Sequence, residues 1–535
     1  MTSTTTSFGL YVGNTTTSLG VYRGGRGCDV VANPSGDRVT PSTVCWHEGG
    51  DVGVGLSAKH HAQRFPKSAV VWGNKSVLGR ATSDPSVQSV ASVSGVSTAK
   101  VLIEGAEAKY QVEIEGANSK CVAPREVLYH ILKYMHDIAL THVTSEDEVK
   151  TVLTVPWDYT PEQRETVKMC AEKAGFQVLQ IISEPAAAAM AYNLGQLDAE
   201  ETFTTLVYRS GGLSTSCTVL AVNAGFVSVI GHVTKDLVGG QRVTEVMSNF
   251  LADEFKRKYK MDPRENKRSL QKLKTHGENV KHVLSTLQTA GCNIESLHEG
   301  MDFNAQIARA RFENCLSDLM PELLAPIQEV LTQCNMDRDS LQKLILCGGN
   351  ARVPKIQKAV KDFLPNCQVL ASINCDEVFS FGAAVQSSLV QERDYVTQTR
   401  CQLKALSANL LYKINDEDAV QVLIPKSCPI PVKKSALLDP GTNSTLVVEF
   451  FADMAKSRAS LAKTVIMGPN GNSSDARGFK LRYFRNIAQP AYCPTQGIVS
   501  IVSSMKSTNA SGLDSKRSNK ILLSFLFRLP SIISR

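Results

Sequence analysis

Fourteen cysteines are scattered through the 535 residues without one C-x-x-C pair and without the Cys/His spacing of a zinc finger. That excludes a disulfide framework read from sequence and predicts no metal site; the thiols read as buried groups in a reducing compartment. Met1 to Ser7 is rich in Thr and Ser and has no charged start leading into an apolar core, so no secretory leader is expected. The longest late apolar run, Ile521 to Phe527, is interrupted by Ser524 and stopped by Arg528 and Pro530, far short of a bilayer span. A cytosolic protein without membrane contact is expected.

Acidic residues are scarce in one place. Residues 451–535 hold 13 Lys and Arg against 3 Asp and Glu, which leaves 45 against 48 in residues 1–450, so the formal +7 belongs to the tail. Basic tails can touch phosphate backbones, but such runs are more often solvated, and no direct DNA contact is expected.

What is present is an ordinary globular composition, 43% hydrophobic and 20% charged, in a chain long enough for two to four domains. Two segments share a plan. Phe8–Val12, a Gly13-Asn14-Thr15 turn and Ser18–Tyr22 are repeated in outline by Leu206–Arg209, Ser210-Gly211-Gly212-Leu213 and Cys217–Val222. Both predict a β-hairpin with a turn rich in Gly, Ser and Thr. A third glycine pair, Gly348-Gly349, ends the apolar run Leu344–Cys347 ahead of a helical pattern. Backbone N–H groups on such loops can receive phosphate, and three related loops in one alternating α/β chain suggest a clamp on a polyphosphate.

Val152–Pro156 predicts a buried strand, and Thr160-Pro161-Glu162-Gln163 has a capping-box spacing that starts a helix ending at Gly175. From Leu270 to Leu287 helical spacing puts Leu273, Val280, Leu284 and Leu287 on one face and Glu278, Lys281 and Ser285 on another. A solvated face is the plain reading of that second group. After about residue 390 short strand-like runs separated by turns predict a small β-domain, and beyond about 465 no periodicity is found.

Several of these segments together resemble the heat-shock-70 chaperone family. Gly13-Asn14-Thr15 resembles its first phosphate loop, and Thr154-Val155-Pro156 with Ile182–Tyr192 resembles its connecting segment. Asn304 to Phe312, with Arg309-Ala310-Arg311-Phe312, looks like its hallmark strand and turn, Gly348–Gln357 like its adenosine loop, and Asp376-Glu377 with Gly382-Ala383-Ala384 like its closing segment. The resemblance runs in order from about residue 8 to 388.

It implies an α/β fold: an actin-like two-lobed ATPase domain with a duplicated βαβ core at 8–388. A linker at 389–405, a truncated β-rich substrate-binding-like domain at 406–465 and an atypical basic tail at 466–535 would follow. The tail matches nothing in the family and is expected to be a disordered extension or the product of an altered splice or reading frame. ATP is the implied cofactor. Gly13, Asn14, Thr15, Gly211 and Gly212 would lie along its phosphates, and Glu278, Lys281, Ser285, Gly348, Gly349, Arg352 and Asp376 around adenosine. Lys75 matches the lysine that orients the attacking water, Glu184 a carboxylate near the metal, and Pro156 a relay proline.

The departures fall on one function. The family's loop aspartates are replaced by Tyr11 and Arg209, a further aspartate by Ser216, a loop glycine by Leu213, the loop threonine by Ser214 and an adenine-stacking arginine by His282. Magnesium is a hard ion that needs carboxylates, so its use is placed in doubt and no metal ligand is assigned. The expectation is ATP bound weakly or statically and hydrolysed poorly or not at all, with Lys75 and Glu184 as remnants. Val390–Gln398 is mostly polar where the family has a leucine-rich linker, and no room remains for a helical lid.

These losses resemble the atypical, ribosome-associated branch of the family. The partners implied are a zuotin-type J-domain co-chaperone and, through it, the ribosome and nascent chains. Two rivals are a conventional ATP-driven folding chaperone and a sugar-kinase-type phosphotransferase on the same fold, for which no carboxylate base is seen.

Overall fold

The computed structural model describes residues 6–24, 27–64, 70–93, 99–102, 107–114, 119–143, 148–195, 202–223 and 226–392. Towards the C-terminus it describes the strand segments 409–414, 420–424, 432–438, 445–454, 457–467, 480–486, 500–507 and 521–528. The chain forms two compact units that meet in sequence at residues 394 and 395. Among the described residues no helix is long and apolar enough to cross a membrane.

The first unit is built on two sheets with one plan, which realises the duplication seen in the sequence. In the first lobe, hairpin Thr6–Val12/Thr16–Arg23 carries Cys28–Val30 on one side. On the other side lie the parallel strands Lys150–Val155 and Gln177–Ser183. In the second lobe, hairpin Thr202–Ser210/Ser214–Asn223 carries Phe226–Asp236 on one side and the parallel strands Lys343–Cys347 and Gln368–Leu370 on the other. The sheets and their covering helices make the expected actin-like α/β fold.

Local signals explain the elements that hold the loops. Thr160 and Gln163 form the predicted capping box at 2.9 and 3.3 Å, and Gly175 ends that helix at φ 111°. Val167, Cys170, Ala171 and Ala174 are buried as the periodicity requires. Helix Lys267–Thr286 buries Leu273, Val280 and Leu284, but Leu287 falls beyond its last turn and is 59% exposed rather than part of the apolar face. Strand Met301–Ala308 runs directly into the short helix Arg309–Cys315, so the strand expected from Asn304 is found and its turn continues as a helix; Phe312 anchors it in the core.

Helix Val378–Glu392 lies directly on the first sheet. A Cβ on Gly9 would stand 2.1 Å from the Ala384 nitrogen and one on Gly20 would stand 2.3 Å from the Ser380 oxygen, so these paired strand glycines leave the helix its seat. On the helix's other side, Gly382 approaches the Ala187 backbone as closely. Ser7 and Ser387 hydroxyls meet at 2.7 Å, and Ser18 donates to Ser380 at 2.8 Å. The helix runs to Glu392 and takes in Val390-Gln391-Glu392, the start of the segment read as linker; residues 393–405 lie outside the described residues.

Among its described residues the second unit is all β. Gln421–Ile424, Asn409–Ile414, Thr445–Met454, Ser457–Met467 and Lys480–Asn486 form an antiparallel sheet in that order, and Val432–Leu438, Ile521–Arg528 and Ser500–Ser507 form another. Strands at 480–486, 500–507 and 521–528 lie within the stretch whose sequence shows no periodicity.

Candidate functional site

The two hairpin turns face each other across the lobes. The first is closed by Gly13 N–H donating to the Thr16 carbonyl at 2.8 Å. Asn14 is buried and exchanges two hydrogen bonds with Ser76, at 2.8 Å to its Oγ and 3.0 Å from its N–H. In the second turn Gly211 N–H donates to the Ser214 carbonyl at 2.9 Å. The loops touch: a Cβ on Gly212 would stand 2.2 Å from the Thr15 methyl, so only glycine admits this approach. Glycine in the second turn therefore serves loop-to-loop contact as well as any ligand.

Leu213, in place of a loop glycine, settles the second turn against the opposite lobe. It is 3% exposed and packs in the first lobe's apolar cluster with Val44, Trp46, Val77 and Val127, one methyl lying against Gly73. Nothing in its sequence context, a polar glycine turn, marks it as a core residue.

Beneath the loops lies a buried ionic triad. Glu184, first residue of helix Glu184–Ala191, presents one carboxylate oxygen to Lys75 Nζ in a short hydrogen bond and the other to Arg209 Nε at 3.1 Å. The Arg209 contact is one of charge, out of line for a hydrogen bond at Nε; its other arm donates to Ser214 Oγ at 3.2 Å. Lys75 also donates to the Val12 carbonyl at 2.8 Å and lies 4.5 Å from the Tyr11 ring centre. Tyr11 packs on Phe379 at 5.0 Å and its hydroxyl neighbours Arg209, so the two residues that replace loop carboxylates touch each other.

The electrostatics follow from that geometry. Burial alone would raise the Glu184 pKa, but Lys75 and then Arg209 outweigh it and hold the carboxyl below its ordinary range. Burial opposes the Arg209 charge, and Glu184 more than restores it. Around the triad the same pocket is lined by Arg80, Asp158 and Asp236, so its cations and carboxylates balance.

Magnesium does not fit this donor set. Both Glu184 oxygens are committed, Asp158 pairs with Arg80 at 3.1 Å, and Asp236 accepts from Ser86 at 2.7 Å. Tyr11 and Arg209 supply no carboxylate. Magnesium ligands of the usual oxygen type are therefore missing where a nucleotide's phosphates would reach.

The residues that the resemblance puts around adenosine lie close to the second turn. Gly348, at φ 85°, presses on the Ser210 carbonyl, where a Cβ would stand 2.3 Å away, while the space around the missing Gly349 side chain is open. Asn350 donates to Ser210 Oγ at 2.9 Å, tying this loop to the second turn. Arg352 and Asp376 pair at 3.1 Å. Lys281 donates to the Gly240 carbonyl at 3.2 Å and to Thr244 Oγ1 at 2.9 Å, and Gly240 N–H in turn donates to the Gly211 carbonyl at 2.8 Å. Ser285 turns back to the Lys281 carbonyl at 2.9 Å. Lys281, Ser285 and the Gly348–Asn350 loop are thus tied to the second phosphate loop, with the Arg352–Asp376 pair beside them, and this polar, glycine-lined rim fits a nucleoside.

Glu278 is held by Lys59 of helix Leu56–Arg64 at 3.0 Å, a bridge between the lobes that the sequence does not announce. Burial tends to raise its pKa, but Lys59 and Lys281 bring it below the ordinary value. Tyr159 is a second unannounced member: its buried hydroxyl donates to the Lys75 carbonyl at 2.7 Å. His282, in the stacking position, is exposed.

Lys281 is 7% exposed, and burial, only partly offset by Glu278, lowers its pKa to about 8. Between that value and the unfolded lysine's, near 10.5, the unfolded chain binds more protons, so stability rises with pH across the window. Lys281→Met should remove that rise. It should also stabilise the nucleotide-free protein at pH 7 by on the order of 1–3 kcal/mol, since Thr244 continues to donate to Gly240. Thermal melts of both proteins from pH 7 to 10 check this; a destabilised variant would contradict it.

A family model described as Hsp70 protein matches residues 7–446. Heat shock 70 kDa protein 14 of Mus musculus is 36% identical over 470 residues, covering 86% of this chain and 91% of that protein. The Homo sapiens protein of that name is 36% identical over 459 residues, 85% of this chain and 88% of its own length. Heat shock 70 kDa protein 14-B of Xenopus laevis is 35% identical over 457 residues, covering 85% and 89%.

Proposed function

The chain belongs to the Hsp70 family, and we propose that within it the chain is an atypical chaperone subunit that holds ATP as a structural ligand and hydrolyses it poorly or not at all. The observation that carries this reading is the commitment of both Glu184 oxygens to Lys75 and Arg209. Hydrolysis of a phosphoanhydride rests on cations placed against developing charge and on a positioned water. Here the lysine expected to orient that water is engaged by a carboxylate and by the Val12 carbonyl. The retained adenosine rim supports binding; the lost donors argue against turnover.

A subunit that does not turn over its own nucleotide acts through others. The mostly polar Val390–Gln398 segment lacks the leucines that would couple an ATPase domain to a substrate domain, and the C-terminal 85 residues carry the chain's excess positive charge. Both support work in the cytosol beside a zuotin-type J-domain co-chaperone, near the ribosome and its nascent chains. The relatives are heat-shock-70 proteins by name and not sugar kinases, which favours the chaperone reading.

Single-turnover measurements with ATP and magnesium test the catalytic part: release of phosphate should stay at the uncatalysed background while a fluorescent ATP analogue binds. Magnesium-dependent turnover like that of an ordinary family member would overturn it. Affinity purification from ribosome fractions tests the partner; a J-domain protein should co-purify in near-equal amount, and its absence there would count against the complex.

A further inference from the structure

A second cluster lies in the first lobe, outside the ionic triad and the adenosine rim. Strand Val44–Trp46 is fully buried and pairs antiparallel with Val52–Val54, placing Cys45 opposite Gly53. The turn between them begins at His47, whose N–H donates to the Asp51 carbonyl at 2.9 Å. Cys45 and His47 are two apart on an extended strand and so point to one face. Their Sγ and Nε2 atoms are 3.6 Å apart. Helix Leu56–Arg64 brings His61 against them, with the imidazoles of His47 and His61 perpendicular at 4.7 Å. One ligand atom from each of the three residues lies within 4.8 Å of the others.

Gly53 supplies an independent observation. Its φ is not in the left-handed region, so the backbone does not demand glycine there. Space does: a Cβ would stand 2.7 Å from Cys45 Sγ, 3.2 Å from His47 Nε2 and 3.3 Å from Ser57 Oγ. Three polar side-chain atoms converge on the space beside this glycine.

We propose that Cys45, His47 and His61 form a zinc-binding site, with the fourth position open to Ser57 Oγ or water. Bond lengths of about 2.3 Å to sulfur and about 2.0 Å to nitrogen in a tetrahedron put those two ligand atoms about 3.5 Å apart, which is the spacing found. One thiolate with two imidazoles is a borderline-soft set suited to zinc. Binding forms the Zn–S bond as the Cys45 S–H bond breaks, and the proton leaves to solvent. His47 and His61 are half-buried, which gives the ion an entry path. No paired Cys/His spacing announces the site, because its ligands come from a strand, the following turn and a helix. Its consequence reaches the cleft: the ion pins helix Leu56–Arg64, and Lys59 of that helix holds Glu278 across the lobes.

Cobalt(II) added to metal-free full-length protein is the test. One equivalent should bind with a thiolate-to-cobalt charge-transfer band, zinc should abolish the band, and zinc should raise the melting temperature. Cys45→Ser should lose the band, and His61→Ala should weaken binding at least about tenfold, a loss of about 1.4 kcal/mol. Cys121→Ser, at an exposed thiol elsewhere, should leave it unchanged. Should Cys45→Ser fail to fold, His61→Ala and Gly53→Ala decide, the latter by crowding the ligand atoms. Absence of a thiolate band in the parent protein, or a band unaltered by His61→Ala and Gly53→Ala, overturns the site.

Discussion

Glu184→Ala is expected to destabilise the N-terminal unit by about 3–5 kcal/mol, a large part of a domain's whole stability. Removing the carboxylate leaves Lys75 and Arg209 buried side by side with no counter-charge. The intact triad is not itself a large source of stability, because taking three charges out of water offsets most of their attraction. Replacing all three, Lys75→Met with Glu184→Leu and Arg209→Met, should therefore recover most of what the single change loses. Trp46, Trp72 and Trp157 are all the tryptophans of the chain and all lie in the first lobe, so urea unfolding followed by tryptophan fluorescence reads this unit. The triad also sets an acid limit. Because the folded Glu184 pKa is depressed, its contribution is present above the ordinary glutamate range and is lost as pH falls below it. Equal stability of the parent and Glu184→Ala would show that the cations find other partners.

Leu213→Ala should cost about 2–5 kcal/mol, the usual range for emptying a buried leucine site, and it should do so in the lobe opposite to its own. With the side chain shortened, the second phosphate loop loses its hold on Val44, Trp46 and Gly73. That loop is one of the two expected along the phosphates, so freed of this contact the variant should bind a fluorescent ATP analogue more tightly although the protein is weaker. Each 1.4 kcal/mol released on the ligand's behalf lowers Kd about tenfold. Loss of stability with unchanged or poorer nucleotide binding would show that the leucine is packing alone. Hydrolysis should not return in either case, because the carboxylate-free Tyr11 and Arg209 remain.

Local rules made much of the first unit legible. Alternation and turn chemistry placed both hairpins and the Thr160 capping box gave its helix, while motif resemblance singled out Lys75 and Glu184, which the fold brings into contact. Residues whose roles come from distant partners were not legible. Leu213 sits in a turn whose composition says solvent, Arg209 is a strand residue whose partner Glu184 opens a helix far back in the sequence, and Lys59 looks like any surface lysine. Cys45, His47 and His61 follow no metal spacing because three different elements carry them. In the second unit no face pattern was found after residue 465, although strands follow to residue 528.

The seat that Gly9 and Gly20 provide for helix Val378–Glu392 bears on the order in which a growing chain can fold. Ser7 and Ser387, hydrogen-bonded in the finished protein, are 380 positions apart. During synthesis the opening strand must wait for almost the whole unit to emerge before its glycine-bared surface is covered, a long exposure for an apolar sheet. A protein proposed to tend nascent chains is thus, while it is one itself, a chain with its first strand uncovered.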